Sequence, residues 1–218
     1  MKRIYFLCAG WTLLLLGACG GKSPDELVHR AASTLNALKA EDSGKRLLDR
    51  ASGVLLVPDY VRVAAGVGFQ RGDGVLIARH DGGWSDPVFY DVDGYSVGLE
   101  LGAEGGSIAL VLVGDKALDK FAKNDTFSMN ATSDLTLFDY SELLEGEPNE
   151  DDGVVFWSDT KGMFVGATFR ATDVSLDEDE NEEYYGKHVN AEEVLRGKVS
   201  EDMRAVLQVE RIRFEQEH

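Results

Sequence analysis

The stretch "GYSVGLELGAE", residues 94–104, decides how the middle of this 218-residue chain folds. Large apolar residues stand at every odd position from 95 to 101, and glycine, serine or glutamate stands at the even positions. A period of two is typical of a β-strand, in which successive side chains point to opposite faces. The pattern therefore predicts one long strand through the whole stretch.

Three glycines of this stretch, Gly94, Gly98 and Gly102, fall on one face of the predicted strand. Glycine weakens a strand interior, so three on one face indicate a bend, or an object packed very close to the backbone. That object is a helix, a neighbouring strand or an acyl chain, and the sequence does not choose among them. We take the three glycines as candidate lipid-binding positions.

The same residues match the G-x-S-x-G motif of serine hydrolases, with Ser96 as the nucleophile and His188 as a later partner. That motif requires a strand, a sharp turn and then a helix, so that the serine lies on a strained corner. Here the alternation continues through Ser96, which predicts an ordinary strand residue. A serine hydrolase is the least favoured function, and we predict no catalytic residue.

Around this stretch the chain has the pattern of closely spaced strands. Residues 51–113 form short β-branched or aromatic segments separated by "RGDG", "HDGGWSD" and "DVDG", which predict turns between antiparallel strands. Residues 115–123 predict a short helix, residues 153–169 a hairpin with its turn at 159–162, and the C-terminal segments further helices. The predicted class is α+β, with an antiparallel β-sheet or barrel-like core, an N-terminal amphipathic helix, and short peripheral and C-terminal helices.

Residues 24–50 predict the N-terminal amphipathic helix. Apolar residues recur at helical spacing from Leu27 to Leu38, Ser23 is placed to be the N-cap, and a break is expected near Ser43 and Gly44. The helix packs on the domain or lies on a membrane, and both alternatives stay open. Three basic residues of its second half are candidate contacts for lipid head groups: Lys45, Arg46 and Arg50.

The N-terminus has the order of a bacterial export signal: Lys2 and Arg3, then the apolar run "IYFLCAGWTLLLL", then "LGAC". The apolar run is too short to span a bilayer comfortably, since a spanning helix needs about 20 residues. Cysteine directly after Leu-Gly-Ala resembles the lipobox of bacterial lipoproteins, which predicts that Cys19 is acylated. The alternative, an ordinary secretory signal, leaves an unpaired thiol in an oxidising compartment.

The lipoprotein hypothesis predicts that the chain has five parts. Residues 1–18 are the signal peptide, 19–23 a lipidated tether, 24–50 the helix, 51–198 the main domain and 199–218 a C-terminal helix. Gly20 follows the cysteine, which resembles an outer-membrane address facing the periplasm. Several acyl chains, at about 0.8 kcal/mol per buried CH₂, would hold the mature chain on the membrane.

Charge and histidine content limit the partners. The formal charge is −17, and loss of Lys2 and Arg3 with the signal changes it to −19. Such a surface repels nucleic acid and bulk anionic lipid, so an anionic head group must meet a local basic patch. Only four histidines are present, without a pair at metal-ligand spacing, so we predict no zinc site and no cofactor.

The acidic run "LDEDENEEYYGK", residues 176–187, places Asp177, Asp179 and Asn181 like the first ligands of a calcium loop. Such a loop needs glycine at its sixth position and glutamate at its twelfth, where this chain has Glu182 and His188. We therefore predict an exposed acidic loop and no metal, with a looser cation site left open.

The order of several segments resembles the SYLF domain family. The matching segments are "GVLLVP", "GDGVLIAR", "WSDPVFYDVDGYSVGLELGAE", "SIALVLVGDKALDKF", "GVVFWSDTKGMFVGATF", "NEEYYG" and "AEEVLRGK". The family includes bacterial envelope lipoproteins and eukaryotic endocytic proteins that bind phosphoinositides and actin. This chain departs from it at Glu100, where many members have glutamine, and in the stretch before Gly153, which is not rich in glycine and serine.

The resemblance implies a non-catalytic, lipid-anchored envelope protein that binds lipid or helps to maintain the envelope. Its partners would be the membrane, through the anchor, and phospholipid head groups or acyl chains. It also implies that Tyr184, Tyr185 and Gly186 are the structural part of the acidic run. The alternative is an acidic periplasmic module that recruits a protein partner of unknown identity.

Overall fold

The computed structural model describes residues 23–80, 83–129, 136–139, 153–159 and 172–197, with isolated positions between 202 and 216. Within these residues the chain is α+β, as predicted. Five helices are described: α1 (Pro24–Ala40), α2 (Asp42–Asp49), α3 (Asp115–Lys123), α4 (Glu178–Tyr185) and α5 (Ala191–Leu195). Seven strands are described: β1 (Ala51–His80), β2 (Gly83–Trp84), β3 (Val88–Val113), β4 (Thr126–Met129), β5 (Thr136–Asp139), β6 (Gly153–Ser158) and β7 (Thr172–Leu176).

The strands form one open sheet rather than a closed barrel, in the order β2-β1-β3-β6-β5, with β7 also on β3 and β4 on β7. All described pairs are antiparallel except β5 with β6. The sheet alternative of the prediction is therefore confirmed. The segments β6 and β7 lie along the same edge of β3, at its two ends.

The long hairpin of β1 and β3 dominates the fold. The strand predicted at residues 94–104 is confirmed as part of β3, but "RGDG" and "DVDG" do not form turns, because β1 and β3 run through them. Tertiary packing explains the two glycines of "RGDG". A Cβ on Gly72 would lie 2.4 Å from Val57 Cγ1, and one on Gly74 would lie 2.9 Å from Leu55 Cδ1. The two halves of β1 therefore lie against each other, and glycine permits that approach.

Two hydrophobic clusters cover opposite faces of the sheet. Leu35 and Leu48 of α1 and α2 pack with Val111 on one face. Phe121 of α3 and Leu195 of α5 pack with Leu110 on the other face. Adjacent residues of β3 thus enter different clusters, and this part of the sheet is buried on both sides.

The N-terminal helix is two helices that pack on the sheet. Ser23 caps α1 as predicted, since its side chain accepts a hydrogen bond from Glu26 N at 3.3 Å. The break lies at the extended Glu41, two residues before the predicted position. Gly44 is where α2 passes α1, because a Cβ there would lie 2.0 Å from Leu38 O. The apolar residues of α1 are buried on the sheet, so the packing alternative is confirmed.

The acidic run was predicted as a loop, and the structure corrects this to the helix α4. Asp177 is its N-cap and accepts a hydrogen bond from Glu180 N at 2.9 Å. The buried Asn181 continues the backbone pairing of β3: its side chain accepts from Phe89 N at 3.2 Å and donates to Phe89 O at 2.9 Å. Tyr185 Oη donates to Pro87 O at 2.6 Å. These contacts fix an acidic helix on the sheet, which the charges alone did not predict.

Several predictions lie outside the described residues: the signal peptide, the tether with Cys19, and the second half of the hairpin predicted at 153–169. Most of the predicted C-terminal helix at 199–218 lies outside them too. The helices predicted at 115–123 and around 191–195 are confirmed as α3 and α5. Among the described residues, no helix has the length and apolar character needed to cross a bilayer.

Candidate lipid-binding surface

One face of the hairpin's middle is apolar and open to solvent. We call it the outer face and define it by five residues, each 46–68% exposed: Val61, Val63, Val67, Phe69 and Tyr95. Four lie on β1, and Tyr95 lies on β3 directly opposite Phe69. Contiguous exposed apolar surface of this kind marks a site of interaction with a protein or a membrane.

In the middle of β1 the usual arrangement of a half-buried strand is inverted: polar side chains are buried and apolar side chains are exposed. Arg62 and Gln70 of β1 are only 6% and 5% exposed, whereas Val61, Val63 and Phe69 point outward. Gln70 is held inside by hydrogen bonds, since Tyr60 Oη donates to its Oε1 and its Nε2 donates to Thr172 Oγ1, each at 2.5 Å. A half-buried strand in water has its polar residues outside. The sequence showed the alternation but not its direction, so the outer face was missed.

The register of the hairpin changes in the middle of this surface. Ala65 pairs with Leu101 and Val67 with Val97, so three residues of β3 oppose Gly66 alone. Gly66 has φ of +78°, a left-handed conformation that glycine adopts without strain. This bulge interrupts the ladder but leaves Val63 and Val67 on the same face.

The three candidate glycines of β3 have different surroundings. Gly94 lines a groove of about 350 Å³, so a groove opens at this position. Gly98 lies in the bulge opposite Gly66. At Gly102 no helix or neighbouring strand packs close to the backbone, since a Cβ there would meet no protein atom within 4 Å.

The groove at Gly94 joins the outer face to a charged rim. Its lining consists of Phe69, Gln70, Arg71, Asp93, Gly94, Tyr95 and Asp173. Arg71 NH2 lies 3.5 Å from Asp91 Oδ1, and its Nε lies 3.8 Å from Asp93 Oδ1. Ser128 Oγ donates a hydrogen bond to Asp173 Oδ1.

The predicted head-group contacts lie on α2 and at its C-cap, Arg50. Lys45, Arg46 and Arg50 are all exposed, and Lys45 Nζ lies 3.4 Å from Asp42 Oδ1. Helices α1 and α2 pack on the face of β3 that carries its odd-numbered residues, and the outer face continues that side by strand alternation. Arg30 of α1 pairs with Asp59, directly before the outer face. Helix α2 and the outer face therefore belong to the same face of the sheet.

The structure places Ser96 inside β3, where the hydrolase motif would require a turn and a helix. His188 Nδ1 instead lies 3.7 Å from Glu182 Oε1 on the surface. Within the ranges that the structure describes, no group of three or more histidine, cysteine, aspartate or glutamate residues has the geometry to hold a metal ion.

The acidic residues around α4 shift the pKa of one carboxyl group, that of Glu180. Burial, and then the charges of Asp177 and Glu183, raise the pKa of Glu180 to about 7. Asp73 and Asp91 of the hairpin add to this shift. Burial also raises the pKa of Asp91, with a contribution from Asp177. Negative charge is thus concentrated where α4 meets the hairpin.

Comparison with known proteins identifies relatives. A family model named Ysc84, described as "Las17-binding protein actin regulator", matches residues 93–210. The chain is 25% identical over 154 residues to SH3 domain-containing YSC84-like protein 1 of Rattus norvegicus, covering 69% of this chain and 45% of that protein. It is 24% identical over 160 residues to Protein YSC84 of Saccharomyces cerevisiae, covering 70% and 34%.

The chain spans less than half the length of these curated relatives. No solved structure matches it.

Proposed function

The chain belongs to the Ysc84 family, also known as the SYLF domain family, and we propose that it is a non-catalytic, lipid-anchored envelope module that binds a membrane surface through its outer face. The inverted alternation of β1 carries this proposal. Exposed valines and phenylalanine with a buried arginine and glutamine between them are the arrangement expected where the outer side meets hydrocarbon rather than water.

The anchor and the outer face act together. Acylated Cys19 precedes Ser23 by four residues, a reach of about 14 Å when extended. Helix α1, which begins after Ser23, lies on the same side of the sheet as the outer face. A short tether to the membrane therefore keeps that side close to the lipid. The address is the outer membrane, facing the periplasm.

The charge of the chain limits the role of anionic lipid. Lys45, Arg46 and Arg50 form a local basic group on this side, within a mature charge of −19. Replacing all three by alanine should weaken binding to vesicles that contain anionic lipid, and the loss should shrink as salt is added. An unchanged affinity in low salt would remove these residues from the site.

The outer face is tested with a polarity-sensitive fluorophore. We expect a label on Val63→Cys, in the full chain with Cys8→Ala and Cys19→Ala so that it carries a single thiol, to shift its emission to shorter wavelength and to be quenched by nitroxide-labelled acyl chains. The control is Lys116→Cys on α3, which packs on the opposite face of the sheet and should keep the emission of a label in water. Equal emission at the two positions would contradict membrane binding by the outer face.

The anchor has a separate test. Mass spectrometry of the mature chain should find Cys19 as the N-terminal residue, carrying the acyl groups. The Cys19→Ala chain should carry none. A mature chain that begins elsewhere, or that lacks acyl groups, would contradict the lipoprotein reading but would leave the outer face to its own test.

An acidic protein-interaction module is the second candidate function. The observation that favours it is α4, whose exposed residues include Glu178, Asp179 and Glu182, together with a family description that names a protein partner. A salt-sensitive partner should be lost when these three residues are changed to lysine and retained when Phe69 is changed to serine. The opposite result would favour the outer face.

A further inference from the structure

The groove at Gly94 lies where the apolar outer face ends and charged residues begin. Phe69 and Tyr95 form its apolar side, and Arg71, Asp93 and Asp173 form its polar side. Its volume of about 350 Å³ falls at the lower end of the range of small-molecule sites. A ligand that fits it must have both an apolar part and charged groups.

The charged side chains of the groove still have donors and acceptors available for a ligand. Arg71 is 69% exposed and divides its contacts between Asp91 and Asp93, at 3.5 and 3.8 Å. Both distances exceed those of a close guanidinium–carboxylate hydrogen bond, about 2.8 Å. The guanidinium therefore retains donors for an anionic group. The carboxylates of Asp93 and Asp173 retain acceptors for a cation.

The aromatic residues favour the same cation. Phe69 and Tyr95 are paired across β1 and β3, and their side chains are 68% and 66% exposed. The face of an aromatic ring attracts an ammonium group within about 6 Å of its centroid. Two rings and two carboxylates beside one groove thus point to an organic ammonium ion.

We propose that this groove binds the head group of a zwitterionic phospholipid, with its ammonium group between the two carboxylates and the two rings. The phosphate then contacts Arg71, and the acyl chains run along Val67 and Val63 of the outer face. This inference rests on the proposed function, because it assigns a lipid class to the same surface. A lipid without an ammonium group offers these two carboxylates no cation beyond the contacts they already make with Arg71 and Ser128.

The test uses short-chain lipids below their critical micelle concentrations, added to the full chain in a non-ionic detergent and followed by calorimetry. We expect dihexanoyl phosphatidylethanolamine to bind about tenfold more tightly than dihexanoyl phosphatidylglycerol, because only the first has a cation for the carboxylates and rings. Asp93→Asn and Asp173→Asn should each remove most of that preference. The control Asp179→Asn, an exposed carboxylate of α4, should keep it.

Equal binding of the two lipids, or a preference that survives both variants, would overturn the proposal. Ethanolamine phosphate, which has no acyl chains, should bind at least tenfold more weakly than the ethanolamine lipid, since it makes no contact with the valines. If it binds equally well, the groove accepts a soluble phosphoamine and not a lipid.

The label at residue 63 separates the two proposals. If it enters vesicles while the groove variants keep their lipid preference unchanged, the membrane function stands and the head-group site fails. If the label stays in water with every vesicle, the membrane function itself fails.

Discussion

The base and the middle of the β1–β3 hairpin are built from the same two strands, but large apolar residues are buried in the base and exposed in the middle. In the base, where residues 51–57 pair with residues 108–113, both faces are covered by helices and the large apolar residues are buried. In the middle, around residues 60–70, the arginine and glutamine are inside and the valines and phenylalanine are outside. Hydrophobicity alone therefore does not tell which part of this hairpin is core.

This difference separates residues that stabilise the fold from residues that are available for binding. A buried side chain loses its surrounding contacts when it is truncated, and the free energy of unfolding falls. An exposed apolar side chain has few such contacts to lose. The same kind of substitution should thus affect stability in the base and membrane binding in the middle.

The largest expected effect comes from truncating the base. Leu110→Ala removes a fully buried side chain and should lower the free energy of unfolding by about 3 kcal/mol, from lost burial and the cavity left behind. Its counterpart in the middle, Val63→Ala, should change it by less than about 0.5 kcal/mol. Urea unfolding followed by circular dichroism measures both. Similar losses at the two positions would mean that the outer face is part of the core.

The junction of α4 with the hairpin should be nearly as sensitive. Asn181→Ala leaves the buried N–H of Phe89 without its partner, while the C=O of Phe89 keeps the hydrogen bond from Asp177 N at 3.0 Å, and the change should cost about 2 kcal/mol. The matched control is Asn124→Ala, an exposed asparagine whose Nδ2 donates to Lys120 O, and it should cost less than about 1 kcal/mol. Urea midpoints at constant slope would test this, and equal midpoints would mean that Asn181 does not hold α4 on the sheet.

Two glycines sharpen the comparison further. Gly72→Ala brings a Cβ within 2.4 Å of Val57 Cγ1 and 3.3 Å of Tyr60 Cα, so we expect a loss of about 2 kcal/mol from overpacking. Gly102→Ala has open space around the new methyl group and should be neutral or slightly stabilising. The melting temperature of Gly72→Ala should therefore lie well below that of the parent chain, and that of Gly102→Ala should equal it or lie slightly above it. A stable Gly72→Ala chain would show that the halves of β1 separate without loss.

The smallest expected effect depends on pH. The pKa of Glu180 is about 7 in the folded chain, and its pKa in the unfolded chain is about 4.3. The folded state therefore binds this proton more strongly, so the stabilisation is complete below the unfolded pKa and is lost as pH rises through about 7. Glu180→Gln removes this dependence. Its unfolding free energy should match the parent near pH 4 and exceed it by about 1 kcal/mol at pH 8, because solvent screening of this partly exposed group reduces the effect.

The control for this effect is Glu178→Gln, an exposed residue of the same helix, which should not reproduce the gain in stability at pH 8. Equal gains for the two variants, or a pH-independent difference for Glu180→Gln, would contradict the raised pKa.

Local patterns predicted the elements whose cause is local. Alternation predicted the strand at residues 94–104, and the cap at Ser23 predicted the start of α1. The segment "RGDG" was predicted to be a turn, but its two glycines are explained by the approach of Val57 from a distant part of the same strand. Nothing in the local sequence encodes that approach.

The candidate site was predicted less well than the fold, for a related reason. Alternation shows that a strand has two different faces but not which face meets the solvent. Only the folded hairpin reveals that Arg62 lies inside and that the neighbouring valines lie outside. The helix α4 was missed because the contacts of Asn181 and Tyr185 with β3 stabilise it, not its own acidic residues.

The core that covers both faces of the hairpin draws on residues near both ends of the described chain. Leu27 of α1 lies in one cluster, and the fully buried Leu195 of α5 lies in the other. Synthesis from the N-terminus delivers Leu195 almost last. Until then α3 covers that face of the sheet without α5, so the hairpin completes its core only when the last described helix has been made.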